Sequence, residues 1–506
     1  MGVMRFVVDP PELLDRIPEM RQGYITGVDG RVYTTRVESD GGVALFRRQS
    51  SESGKVHVPF PVEGFGRPVL TTASLPEREA PYVLALELLR GKLSELRDQA
   101  SSWEQVRMAI PDRFRGLARE AFQRFSLASQ RQDRPREASQ MASEGLKLAC
   151  AAAELLMDAY VVQRTASMRA SHHHPPSLVG CTLDESVLAS PLKETLARSM
   201  TSAIVPIEWT RIEPIEGDCH WEEADAIVQH CLDNRMVIVG GPLIDLSPGG
   251  LPEWLAPWAN DTLNLPSFVC DYVETAVGRY HGRIRMWEVS ACGNLGGALG
   301  LTEENRLALV ARTLETAYRR DSDSQFFVRV AQPWGEYQAR GQHRLTAFQF
   351  VDALIRSNLG LTGVTLEIAA GYKGRGSLSR DRLAISRLVD TWSLLGIQIH
   401  VILACPSNAG ADPLASAEIP VESGVWKASW SEAAQAEWLE AVLPMLAAKP
   451  VVSGVYVSHL SDGKPHRFPH AGLVRPDGRA KPSLDVLQQA GRRPESGSAS
   501  DIRQIR

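Results

Sequence analysis

The sequence predicts an α/β protein, a (β/α)8 TIM barrel preceded by a small β domain and a helical segment. From about residue 177 onwards, eight short apolar runs alternate with amphipathic stretches, as in a closed parallel barrel with buried strands. Before residue 75, short runs rich in β-branched and aromatic residues are separated by glycine turns. Between these regions, leucine and alanine recur every three or four positions, which indicates helices.

The 506 residues exceed one ordinary domain. We expect a small β-sheet or sandwich over 1–75, a helical hairpin or bundle over 76–170, the barrel over 171–490 and a disordered tail over 491–506. The β domain has two interpretations, a carbohydrate-binding module or a structural domain packed on the rest. An open doubly wound sheet would need a glycine-rich phosphate loop after an early strand, and the segment after residue 178 lacks one.

Composition narrows the class of partner. The formal net charge is −5 and the pI is near 6.2, which argues against a nucleic acid as main partner. Seven dispersed cysteines without a CxxC pair are typical of free thiols in a reducing compartment. No stretch approaches the roughly 20 apolar residues of a membrane helix. We therefore expect a cytoplasmic protein, with the helical segment as a candidate surface for homo-oligomer formation.

Four motifs carry a resemblance to a known family. They are WTRIEPIEGDCHWEEAD (Trp209 to Asp225), MWEVSAC (Met286 to Cys292), Gln435-Ala436 and RAKPSLDVL (Arg479 to Leu487). In this order they resemble glycoside hydrolase family 10, the endo-1,4-β-xylanases built on a (β/α)8 barrel. The resemblance implies action on a β-linked polysaccharide or oligosaccharide, no cofactor, and a carbohydrate as the partner.

The same alignment places two unexpected residues at the family's catalytic positions. A retaining glycosidase needs two carboxylates about 5–5.5 Å apart, one as nucleophile and one as acid/base. The resemblance puts them at Cys292, after the fourth strand, and at Ala404, at the end of the seventh. A methyl group forms no glycosyl ester, and a thiol near its usual pKa is a poor substitute for a carboxylic acid.

Other acids near the strand ends are candidates to replace that pair. Glu336 follows Trp334 and Gly335 just past the fifth strand, and Glu367 lies on the sixth strand. Neighbouring strands lie roughly 4.8 Å apart, so the two carboxylates can approach each other. A close pair with separated pKa values serves acid/base work, although acids at a barrel mouth also hold loops. We predict Glu336 and Glu367 as the catalytic candidates.

Aromatic and polar residues near the strand ends are candidates for sugar binding, with core or rim packing as the alternative. The predicted binding residues are Trp209, Asp245, Glu288, Trp334, Tyr337, Tyr372, His459 and Asp462. His459, His466 and His470 do not follow a zinc-ligand spacing, so we predict no metal. Neither a Gly-x-Ser-x-Gly elbow nor a Ser/His/Asp order stands out in the sequence.

Two functions therefore remain open. The first is an O-glycosyl hydrolase that uses acids other than the family pair. The second is a barrel that has lost hydrolysis and binds a carbohydrate or serves as a scaffold.

Overall fold

The computed structural model describes residues 2–171, 177–341, 343–416, 419–421 and 426–491. Residues 172–176 and almost all of the predicted tail at 491–506 lie outside the described residues.

The first 83 residues form two small sheets. Their strands are β1 (Gly2–Val7), β2 (Tyr24–Thr26), β3 (Val32–Tyr33), β4 (Arg36–Asp40), β5 (Val43–Arg48), β6 (Lys55–Pro59), β7 (Val69–Thr71) and β8 (Tyr82–Val83). One sheet has the order β4-β5-β1-β8 and the other the order β3-β2-β6-β7. Along β1 every second side chain is buried, because side chains of a strand alternate between its two faces. A short helix, α1 (Leu13–Arg16), joins β1 to the second sheet.

Three long helices follow: α2 (Leu84–Gln105), α3 (Asp112–Ser129) and α4 (Pro135–Ser171). Proline precedes α3 and opens α4, positions at which its missing N–H costs the helix nothing. Several alanines of α3 and α4 are fully buried, and such small side chains permit a close approach of neighbouring helices. They are Ala121, Ala128, Ala138, Ala142, Ala149 and Ala152.

Eight parallel strands then close into a barrel, which confirms the predicted fold class. They are β9 (Leu178–Cys181), β10 (Ser202–Val205), β11 (Val237–Gly240), β13 (Met286–Ala291), β14 (Gln325–Ala331), β15 (Leu361–Ala369), β16 (Gln398–Ala404) and β17 (Val452–Val457), and the short β12 (Ile244–Asp245) pairs with β13. The order runs from β10 through β17 to β9. A bridge between Thr182 and Ile204 closes the barrel and excludes an open sheet.

Helices alternate with the barrel strands, and the longer ones cover the outside of the barrel. They are α5 (Ser186–Ala189), α6 (Lys193–Ser199), α7 (Trp209–Ile212), α8 (Glu222–Asp233), α9 (Asn264–Arg279), α10 (Glu303–Arg320), α11 (Ala347–Arg356), α12 (Arg382–Trp392), α13 (Glu432–Ala447) and α14 (Pro482–Gly491). Among the described residues, none of the helices has the length and apolar character needed to cross a membrane.

The N-terminal sheets pack on the loops that follow β14 and β15. The Thr35 amide donates to the Ala339 carbonyl at 3.0 Å, and the Val69 amide donates to the Ser379 carbonyl at 2.8 Å. Lys92 of α2 forms a buried ion pair with Asp381 at the start of α12. These contacts lie at the carboxyl end of the barrel strands. The N-terminal region therefore supports the loops that shape the barrel mouth.

Candidate functional site at the barrel mouth

A cavity of about 1050 Å³ opens at the carboxyl ends of the barrel strands. Barrel enzymes place their reacting groups at this end. Residues at or just after the carboxyl ends of all eight barrel strands line it, including Glu208, Asp245, Cys292, Glu367 and Ser458. Its walls carry both acidic and basic side chains, so the cavity suits a polar ligand rather than an apolar one.

Cys292 lies in this cavity at the position predicted for the family's acid/base. Its side chain is fully buried, and its Sγ accepts a hydrogen bond from Arg467 Nη1 at 3.1 Å. Burial raises the pKa of the thiol to about 12, against the opposing effect of the Arg467 guanidinium. The thiol therefore keeps its proton near neutral pH, which rules it out as a base there.

Ala404, the residue at the predicted nucleophile position, ends β16 and is 1% exposed. Its methyl group packs in a small apolar cluster with Ala369, Tyr372 and Phe468. This cluster fills the space on one wall of the mouth where the family resemblance implies a carboxylate.

Arg467 joins Cys292 to one of the predicted catalytic acids. Its Nη1 donates to Glu367 Oε2 at 3.1 Å as well as to the thiol. Burial acts to lower the pKa of Arg467, but Cys292 and Glu367 outweigh it and raise that pKa. Arg467 thus places a permanent positive charge beside the position at which the family resemblance implies a carboxylic acid.

Glu336, the second predicted catalytic acid, lines the same cavity but is only 1% exposed. Its Oε1 accepts a hydrogen bond from Arg380 Nη2 at 2.7 Å, and the same guanidinium group donates to the Tyr24 hydroxyl at 2.8 Å. Burial raises the pKa of Glu336, and Arg380 opposes that rise. Glu336 therefore lies in a buried ion pair that connects two mouth loops to the N-terminal sheets.

Three predicted binding residues line the cavity: Asp245, Tyr337 and His459. The Tyr337 hydroxyl already donates to the Leu345 carbonyl at 3.0 Å, and the side chain is 6% exposed. His459 is 8% exposed and bonded to Asp462.

The other predicted binding residues are not among the described residues that line the cavity: Trp209, Glu288, Trp334, Tyr372 and Asp462. The Trp209 indole is 1% exposed, stacks on Tyr272 and donates to Glu213. The Tyr372 hydroxyl donates to a backbone carbonyl inside the protein.

The remaining three residues are likewise engaged with the protein. Glu288 is fully buried in an ion pair with Arg329. The Arg380 guanidinium covers the Trp334 ring at 4.3 Å. Asp462 is 4% exposed and bonded to Lys481. In each case the protein itself occupies the surface that a sugar would contact.

Three charged residues of the mouth were missed by the sequence analysis. Arg329 interrupts the apolar run of β14, and this charge inside a buried strand was the available signal. Arg467 lies in the loop after β17, where no pattern distinguishes it. Glu208 follows β10 and lies on the cavity wall. Burial raises the pKa of Glu208, with Arg211 opposing and Asp245 adding to the rise.

His459, Asp462 and His466 bring one potential metal-ligand atom each within 4.8 Å of the others. The two imidazole rings are stacked at 4.2 Å with an angle of 16° between their planes. Ring nitrogens bind metals in the ring plane, so two parallel stacked rings cannot both direct a lone pair at one ion. Lys481 also donates to Asp462. The geometry thus fits a hydrogen-bonded cluster better than a metal centre.

Comparison with known proteins agrees with this architecture. Residues 168–291 match the family model described as Glycosyl hydrolase family 10. This matched segment runs from the last turn of α4 to the end of β13. The segment matched by the family 10 model ends at Ala291, immediately before Cys292.

Curated relatives include endo-1,4-β-xylanase 3 of Hypocrea jecorina, 29% identical over 113 residues, which are 22% of this chain and 32% of that enzyme. Endo-1,4-β-xylanase B of Thermotoga neapolitana is 29% identical over 85 residues, 16% of this chain and 23% of that enzyme. The matches thus span a third or less of each relative.

Solved family 10 structures cover more of the chain at lower identity. A GH10 structure from Paenibacillus barcinonensis is 18% identical, covers 62% of this chain and 94% of its own, and has a TM-score of 0.48. Xylanase 10B of Thermotoga petrophila, in complex with xylobiose, is 14% identical with the same coverage and a TM-score of 0.47.

Proposed function

We propose that this protein binds a β-linked oligosaccharide in the mouth cavity and does not hydrolyse it by the family's double-displacement mechanism. The match to the family 10 model, the polar cavity of about 1050 Å³ and the xylanase names of the curated relatives support a saccharide ligand. The ligand class is thus inferred from the family resemblance, and the reaction is inferred from the residues at the mouth.

The environment of Cys292 carries the proposal. A retaining glycosidase needs a carboxylic acid that gives and takes a proton at the glycosidic oxygen. At this position a fully buried thiol accepts a hydrogen bond from Arg467, and the opposite position holds the buried methyl group of Ala404. A proton donor and a nucleophile are therefore both missing from the family's positions.

Calorimetry with xylotetraose and cellotetraose, paired with a reducing-end assay, tests the proposal. We expect saturable binding by one of these sugars and no new reducing ends. Arg467→Met, which removes a charged donor from the cavity, should weaken binding by roughly tenfold or more, as expected for a hydrogen bond from a charged group. Arg319→Met, an exposed arginine of α10 far from the mouth, is the matched control. Absence of binding by both sugars would refute the proposal.

Hydrolysis by the predicted acids Glu336 and Glu367 is the second candidate. Both line the cavity, and burial raises the pKa of Glu336, as a general acid requires. New reducing ends that disappear in both Glu336→Gln and Glu367→Gln would favour hydrolysis over binding alone.

We further propose that the protein works in the cytoplasm and self-associates through its helical segment. The seven cysteines are free, as expected in a reducing compartment. Phe122 and Leu127 of α3 are exposed at 57% and 42%. Cell fractionation tests the location, and light scattering of the wild type beside Phe122→Ser tests the association.

A further inference from the structure

The mouth cavity contains a hydrogen-bonded chain of serine, histidine and aspartate. Ser458 follows β17, lines the cavity and is partly exposed. Its Oγ lies 3.2 Å from His459 Nδ1, and His459 Nε2 lies 3.1 Å from Asp462 Oδ1. The sequence analysis missed this set, because two of its members are adjacent and match no known motif order. Such triads are identified by geometry and roles, not by order in the chain.

The hydrogen-bond partners of His459 indicate which of its ring nitrogens carries the proton. Burial acts to raise the pKa of Asp462, but the hydrogen bond from His459 and the Lys481 ammonium outweigh it and hold that pKa well below its usual range. The ionised carboxylate only accepts, so His459 Nε2 carries the proton. Burial also lowers the pKa of His459, against the hydrogen bond to Asp462. The ring is therefore neutral, and its Nδ1 accepts the hydroxyl proton of Ser458.

The surrounding residues hold this chain rigid. Asp462 Oδ1 also accepts from the Gly472 amide at 2.8 Å, and its Oδ2 accepts from Lys481 Nζ. The His459 ring is stacked on His466, whose Nε2 lies 3.0 Å from Asp412 Oδ2. A base whose orientation is fixed by a third group is the arrangement that activates a hydroxyl nucleophile.

We propose that Ser458 is the nucleophile of an esterase site that removes acyl groups from a saccharide bound in the mouth cavity. Serine activated by histidine attacks acyl carbon, whereas a glycosidic bond needs a carboxylic acid pair. The saccharide part of this substrate rests on the function proposed above. Arg467, which lines the same cavity, is the candidate cation for the negatively charged oxygen of the intermediate.

The reaction balances with water as the only co-reactant. Ser458 Oγ bonds to the ester carbonyl carbon while its proton passes to His459 Nδ1. The bond between that carbon and the sugar oxygen breaks, and the leaving oxygen takes the proton from Nδ1. Water then attacks the acyl-serine and gives a proton to His459. The proton returns to Ser458 Oγ as the carboxylic acid leaves.

Three assays on the full chain test the site. They are hydrolysis of 4-nitrophenyl acetate, acetate release from acetylated xylotetraose, and covalent labelling by phenylmethylsulfonyl fluoride read by mass spectrometry. We expect esterase turnover and one label on Ser458. Ser458→Ala should lower turnover by roughly 10⁴-fold or more, the scale of loss when one triad member is disabled. His459→Gln should do the same, with circular dichroism reporting whether each variant is folded.

Ser453→Ala is the matched control, the same substitution on the same strand at the opposite end of the barrel. It should keep full turnover and labelling. Turnover unaffected by Ser458→Ala, or neither turnover nor label in the wild type, would overturn the proposal. Hydrolysis of 4-nitrophenyl acetate requires no sugar. Esterase activity without saccharide binding would therefore support Ser458 as nucleophile and refute the saccharide ligand. Saccharide binding without any esterase activity would support the ligand and refute the nucleophile.

Discussion

Replacing Glu336 by glutamine separates a structural role for this residue from a catalytic one. Glu336 is 1% exposed and Arg380 is 6% exposed. Their ion pair connects the loops after β14 and β15 to Tyr24 in the N-terminal sheets. Glutamine keeps the shape and one acceptor oxygen but removes the charge. Arg380 then remains buried without a counter-charge.

Removing one partner of a buried pair typically costs about 3–5 kcal/mol. Because glutamine still accepts one hydrogen bond, we expect the lower end, about 3 kcal/mol. A free-energy change of about 1.4 kcal/mol alters an equilibrium constant tenfold. The equilibrium constant for opening this interface should therefore rise about 150-fold. The Thr35 amide, which donates to Ala339 across the interface, reports the opening directly through hydrogen exchange.

Glu304→Gln is the matched control, since it breaks an exposed ion pair with Arg344, and exposed pairs contribute little. Its exchange at Thr35 should equal that of the wild type. If Glu336→Gln leaves this exchange unchanged while it abolishes turnover of an oligosaccharide, the structural reasoning is wrong and Glu336 is catalytic.

Three further outcomes are expected. Asp381→Asn keeps the cap of α12 but removes one of the two acids paired with buried Lys92, the other being Glu95 at 3.3 Å. Urea titration should therefore show a loss smaller than the about 3–5 kcal/mol of a fully uncompensated buried charge. Iodoacetamide at pH 8 should alkylate exposed Cys219 and spare buried Cys292, whose pKa burial raises to about 12, as mass spectrometry will show. The folded pKa of Asp462 is lowered, so its stabilisation is complete above about pH 4 and lost as pH falls. The difference between the unfolding midpoints at pH 3 and at pH 6 should therefore be smaller for Asp462→Asn than for the wild type.

Each of these outcomes has a result that contradicts it. An unchanged urea midpoint in Asp381→Asn would mean that Glu95 alone compensates the charge of Lys92. Alkylation of Cys292 as fast as Cys219 would mean that the thiol is accessible or ionised. An unchanged pH dependence in Asp462→Asn would assign acid unfolding to other carboxylates.

The barrel was predictable because its pattern is local. Continuous apolar runs separated by amphipathic stretches can be buried in few ways, and eight of them indicate a closed parallel sheet. Strand ends depend on local chemistry. β10 ends at Val205, because Pro206 has no N–H to continue the ladder.

The site was only partly predictable. Placement of Cys292 after the fourth strand followed from the family resemblance of the MWEVSAC segment. The sequence did not predict which side chains contact the residues of the site. Arg467 meets Cys292 across 175 residues, and Arg380 meets Glu336 across 44. No local pattern encodes which of several arginines reaches a given acid.

The sequence by itself determined the barrel, the two preceding regions and the side chains at the family's catalytic positions, because residue identity and periodicity are properties of the chain. The tertiary structure alone decided which acids carry a counter-charge, which aromatics are buried in the core, and that Ser458, His459 and Asp462 share a line of hydrogen bonds. The physical reason is that ion pairs and hydrogen bonds depend on distances of a few ångströms, which only folding sets between residues far apart in the chain.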